Sequence, residues 1–169
     1  MVLLNWPGAG NQPHDPSVLG ADDLVTRAAK HLDASVDIVA QSMGGVIAVR
    51  LALTRPESVR RLVLVATSGG IDVRTLGGVD WREEYQRDFP QAADWIVQEQ
   101  PDLTEEIKQL VTPTFLIWGD TDPISPPRVG EHLAELLPNA TLHVIAQGTH
   151  SLAYDCPDAV AGLIETHLR

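Results

Sequence analysis

The stretch "VDIVAQSMGGVIAVRLAL", residues 36–53, decides how the rest of the chain is read. Val36, Ile38, Val39 and Ala40 carry the β-branched and small side chains of a buried strand. From Gly45 onward, Val46, Ile47, Val49, Leu51 and Leu53 fit a helix that is apolar on most faces. Ser42 therefore stands at the joint of a strand, a turn and a helix. The residues around it read A-Q-S-M-G, where a nucleophile elbow reads G-x-S-x-G. Such a joint needs small outer residues, because the helix folds back tightly on the strand. Gly44 supplies one, and Ala40 adds a single methyl group. A serine held there projects its hydroxyl past the end of the sheet. The N–H of Met43, at the start of the helix, points into the same space, where negative charge is favoured. The plainer reading of Ser42 is an N-cap in front of a core helix.

Outward from this joint the chain alternates between strand and helix patterns. "VLLN" (2–5) reads as a buried strand and the Gly- and Pro-rich "WPGAGNQPHDP" (6–16) as a loop. Residues 21–32 read as a helix, with Leu24, Ala28 and Leu32 on one face and Asp22 and Asp23 in the first turn. "RRLVLVAT" (60–67) is a continuous apolar strand of the kind covered on both faces, and "PTFLIWG" (113–119) and "ATLHVIA" (140–146) are further strands. Residues 128–137 and 158–168 are helical. Between 69 and 110 lies an insertion with short helices at 80–88, 91–100 and 104–111, and it holds Trp81, Tyr85, Phe89 and Trp95. This alternation predicts an α/β fold with a mainly parallel central sheet and helices on both faces.

The 169 residues correspond to one domain, 1–169, large enough for a real core. With 23 acidic against 12 basic residues the net charge is −11, which argues against nucleic acid and anionic membranes as partners. The charges are dispersed, as on a solvated surface. Cys156 is the one cysteine, so neither an internal disulfide nor a cysteine metal cluster is available. The opening "MVLLNWPG" is not a signal peptide, no stretch approaches a membrane span, and a cytoplasmic location is expected.

In a parallel sheet the reacting groups gather at the carboxyl ends of the strands. "WGDTDPISP" places Asp120 and Asp122 after one strand, and "AQGTHSL" places His150 after another. Serine is a poor nucleophile at neutral pH. A histidine must take its proton, and a buried carboxylate must hold the histidine tautomer and stabilise its charged form. The other histidines compete less well. His143 lies inside a strand, where a satisfied core residue is expected, His14 is in the Pro-rich loop, and His31, His132 and His167 fall in helices. No pair of histidines has convincing metal-ligand spacing, and Gly8–Gly10 is too short for a dinucleotide fingerprint.

"QSMGG", "LIWGDTDPISP" and "GTH", in this order, resemble the α/β-hydrolase family over residues 36–67 and 113–169. The resemblance implies a serine hydrolase with a minimal α/β-hydrolase fold and a short helical cap at 69–110. The family's acid lies in W-G-x-x-D-x-x-x-P, which selects Asp122 over Asp120, with Pro126 closing the pattern. Ser42 then attacks, His150 serves as base and acid, Asp122 orients His150, and the Met43 N–H stabilises the oxyanion. "NWPGAGNQP" resembles a later family loop, D-x-P-G-x-G-x-S, with Asn5 and Gln12 as departures. The upstream strands and the H-G-x-G oxyanion loop are then missing, which exposes a sheet edge and favours homodimerisation. If 2–5 pairs beside 36–41, the loop "PGAG" overhangs Ser42 and the Ala9 N–H becomes the second oxyanion donor. Trp81, Tyr85 and Trp95 are candidates for the wall of an apolar substrate pocket. The expected substrate is a small carboxylic ester with an apolar part, and neither a metal nor an organic cofactor is implied. A peptidase, a thioesterase, a carbon–carbon bond hydrolase and a non-catalytic binding module are the alternatives.

Overall fold

Four strands form one parallel sheet, β1 (Val36–Gln41), β2 (Val59–Val65), β3 (Thr114–Gly119) and β4 (Ala140–Ile145), and they lie side by side in chain order. The structure is a computed structural model and describes residues 1–32 and 34–169. The longer helices are α1 (Ala21–Ala29), α2 (Met43–Thr54), α5 (Pro127–Leu136) and α7 (Pro157–Leu168). Shorter ones are α3 (Arg82–Asp88), α4 (Thr104–Ile107) and α6 (Leu152–Asp155). No helix among the described residues is long and apolar enough to cross a membrane.

The strand alternation distributes the core. Leu62, Leu64, Leu116 and Trp118 share one cluster with Val49 of α2 and Leu133 of α5. Val63, Val65 and Ile117 belong to a second cluster with Leu152 and Val160, so helices cover both faces of the central strands. A third cluster joins Leu24 and Ala28 of α1 to Ile47 and Leu51 of α2 and to Trp95 and Ile96 of the cap. An ion pair between Asp22 and Arg50 also links α1 to α2.

Three expectations need correction. Residues 2–5 form no strand and are exposed, and no backbone hydrogen bond among the described residues joins them to β1. The following turn explains their course. It closes on itself through Gly8 N–H to Pro13 C=O (2.9 Å) and docks on the cap through Ala93 N–H to Gly8 C=O (2.9 Å). That leaves the outer edge of β1 open, with Val39 exposed. His143 is exposed rather than a core residue, because β4 is the opposite edge strand and part of its surface is uncovered. The cap is also less helical than its sequence suggests. Residues 91–100 give only a 3₁₀ turn at Asp94–Val97, and the helix read at 104–111 stops at Ile107.

Candidate active site

Ser42 occupies the single residue between β1 and α2, with φ 51° and ψ −126°. A non-glycine residue in this region is strained and persists only where its surroundings fix it. Three hydrogen bonds do so. The Ser42 N–H donates to Val65 C=O at 3.0 Å, and its carbonyl accepts from Gly45 N–H at 2.9 Å and from Thr67 Oγ1 at 2.5 Å. A methyl group on Gly44 would meet Ala40 Cβ at 3.7 Å, an ordinary contact, so Ala40 is accommodated in place of glycine. The absolute requirement falls one residue later, where a Cβ on Gly45 would lie 2.4 Å from Thr67 Oγ1.

β3 and β4 supply the other two groups through loops pressed together. A Cβ on Gly119 would sit 2.1 Å from the carbonyl oxygen of Gly148, so only glycine allows this approach. The same carbonyl accepts from Thr121 N–H at 3.0 Å and Thr121 Oγ1 at 2.8 Å. Asp122 is 3% exposed. Its Oδ1 accepts from the N–H groups of Ile124 (2.8 Å) and Ser125 (2.9 Å), and its Oδ2 lies 2.8 Å from His150 Nδ1. On the other side of the ring, Nε2 is 2.9 Å from Ser42 Oγ. With a proton on Nδ1 shared toward Asp122, the Nε2 lone pair faces the serine hydroxyl. The Gln41 side chain adds a clamp, donating through Nε2 to the His150 carbonyl at 2.9 Å.

Ser42 and His150 open onto a cavity of about 320 Å³ beneath the cap. Met43, Val46, Ile71 and Ile124 form an apolar floor, and Arg74 and Arg82 stand in its outer wall among acidic partners. Of the three aromatic candidates, Trp81 lines this cavity. Tyr85 instead stacks edge-on against Trp81, and its hydroxyl accepts from Gly10 N–H at 2.6 Å. Trp95 is buried in the cluster beneath the cap. Both aromatics tie cap to body and lie outside the cavity wall.

The Met43 N–H is the first of α2 and has no protein acceptor among the described residues, as expected at a helix N-terminus. The reading of Ala9 as second donor is overturned. Its N–H is spent on Trp6 C=O at 3.1 Å, and Ala9 is not part of the cavity wall. Sequence reasoning also passed over Gln41, Thr67 and Ser125. The one available signal was position, since Thr67 and Ser125, like the three chosen residues, follow strand ends.

The family model for the alpha/beta hydrolase fold matches residues 1–94 and 74–157. The chain belongs to this family. It is an enzyme of the hydrolase class. It is similar to the pimeloyl-[acyl-carrier protein] methyl ester esterase of Neisseria meningitidis serogroup B (strain MC58), 27% identical over 95% of this chain and 79% of that protein. It is also similar to the 2-hydroxymuconate semialdehyde hydrolase of Pseudomonas putida, 28% identical over 78% of this chain and 62% of that protein. Among solved structures, a thermophilic esterase from Thermogutta terrifontis superposes with a TM-score of 0.73 at 24% identity, covering 96% of this chain and 76% of that one.

Proposed function

We propose that this hydrolase cleaves a small carboxylic ester through an acyl-enzyme, with Ser42 as nucleophile. The observation that carries the reading is the continuous line from Ser42 Oγ to His150 Nε2 (2.9 Å) and from His150 Nδ1 to Asp122 Oδ2 (2.8 Å), ending at a cavity. Ser42 Oγ attacks the ester carbonyl while His150 Nε2 takes its proton. Asp122 holds the imidazole in the tautomer that can do this and stabilises the imidazolium. The carbonyl oxygen becomes an oxyanion facing the Met43 N–H and the positive end of α2. His150 then returns the proton to the departing alcohol, and a water molecule repeats the sequence on the acyl-enzyme.

The cavity of about 320 Å³ is near the small end for ligand sites, and its apolar floor suits a short acyl or alcohol chain. The name of the Neisseria relative supports an ester, and that of the Pseudomonas relative supports carbon–carbon bond cleavage as the second reading. p-Nitrophenyl esters of increasing acyl length, run beside 2-hydroxymuconate semialdehyde, separate the two. In the ester series Ser42→Ala abolishes turnover and organophosphonate labelling while the circular dichroism spectrum is unchanged. Turnover that survives in this variant sinks the mechanism.

A further inference from the structure

Thr67 follows β2 by two residues and is 1% exposed. Its hydroxyl is engaged in both roles, donating to Ser42 C=O at 2.5 Å and accepting from Gly69 N–H at 3.1 Å. The Ser42 carbonyl and the Met43 N–H belong to the same peptide group. That group is planar and trans, so the direction of one fixes the direction of the other. The carbonyl's other donor, the Gly45 N–H, is part of α2 and turns with it. Thr67 is anchored on a different strand, and so references the peptide plane to the sheet.

The anchor extends further. Thr67 C=O accepts from Ser125 Oγ at 3.1 Å, and Ser125 Oγ in turn accepts from Trp118 Nε1 at 3.2 Å. Ser125, 2% exposed, also holds Asp122 through its N–H. Ser42, Thr67 and the Asp122 loop thus share one buried hydrogen-bonded chain that rests on the indole of β3. The absence of a side chain at Gly45 is what lets Thr67 reach the carbonyl at all.

We propose that Thr67 is a positioning residue that aims and polarises the Met43 N–H toward the oxyanion. The proposal rests on Ser42 acting as nucleophile and the Met43 N–H as oxyanion donor. A hydrogen bond received at one end of a peptide group strengthens the donor at its other end. The Ser42 φ of 51° is a conformation the backbone leaves readily unless held, so loss of the hydroxyl frees the plane to rotate. Neither His150 nor Asp122 hydrogen-bonds to the Thr67 hydroxyl, and the link from Thr67 to Ser125 is through the backbone carbonyl, which a side-chain change retains.

The test is Thr67→Val, close to isosteric, beside Thr67→Ser, which restores the hydroxyl. With p-nitrophenyl acetate, kcat of Thr67→Val falls by roughly 10- to 100-fold, less than the about 100- to 1,000-fold seen when an oxyanion donor is removed outright. KM stays within about twofold and the midpoint of the pH–rate profile stays in place, because the oxyanion, not the base, is affected. Thr67→Ser recovers most of kcat. A Thr67→Val enzyme with full kcat, a displaced pH midpoint, or a Thr67→Ser enzyme as slow as Thr67→Val each overturns the assignment. Ser42→Ala is run alongside. Its inactivity together with full activity of Thr67→Val overturns the positioning role alone, whereas activity surviving in Ser42→Ala overturns the underlying reading as well.

Discussion

Asp122 has both carboxylate oxygens occupied, one by the N–H groups of Ile124 and Ser125 and the other by His150, while Asp120 two residues earlier is exposed. Asp122→Asn should therefore lower kcat by about a thousandfold or more, since the amide cannot hold the required imidazole tautomer. Asp120→Asn should stay within about twofold of wild type, as surface changes usually do. Parallel kinetics on the two variants check this, and the reverse order would move the acid to Asp120. The A-Q-S-M-G joint pointed to Ser42, and position after a strand end pointed to His150. It left the two aspartates tied, and the W-G-x-x-D-x-x-x-P spacing separated them. Thr67 and Gly45 were hidden for a different reason. Their importance lies in a contact between two strand-end loops, and no local pattern encodes such a contact.

At the level of elements, the legible segments were those that are paired and covered in the fold. β2 and β3 are apolar throughout because each is paired on both sides and covered on both faces. "VLLN" has the same composition as a strand, yet it pairs with no strand among the described residues and is exposed. Composition states what an element can bury and not what is present to bury it against. Helix α7 illustrates the energetic side. Its His167 stacks on Phe115 of β3 with ring centroids 5.2 Å apart, and Nε2 is buried without a hydrogen-bond partner among the described residues. Burial, helped by Arg61 and opposed by Asp37, lowers its pKa from the ordinary 6.5. The unfolded chain then takes up a proton at a higher pH than the folded one. Stability is full above about pH 6.5 and declines as pH falls through the lowered value of the folded state. Relative to His167→Phe, which has no titrating ring, the wild-type melting temperature should fall as pH is lowered from about 8 to 5. Parallel curves at every pH would show that His167 titrates alike in both states.

Across the whole molecule, the strands lie in chain order, β1-β2-β3-β4, so each parallel strand sits beside the one that precedes it in the sequence. What the alternation could not convey was that β1 and β4 would be the two edges of the described sheet. Ser42 leaves one edge and His150 follows the other, and three strand spacings, roughly 14 Å, separate those edges. The loop carrying His150 has to reach back across the ends of β3 and β2, wedged through Gly148 against Gly119.

This span has a kinetic consequence. The Ser42–His150 contact joins residues 108 apart in sequence and needs β1 to β4 in place, so it is expected to close late. During renaturation, secondary structure and tryptophan burial should return first and the capacity to react with an organophosphonate should lag behind. Stopped-flow fluorescence beside timed quenching with the labelling reagent would resolve the two. Simultaneous recovery would mean that the nucleophile is armed before the sheet is complete, and its chemical reactivity would then no longer serve as a clock for the final step of assembly.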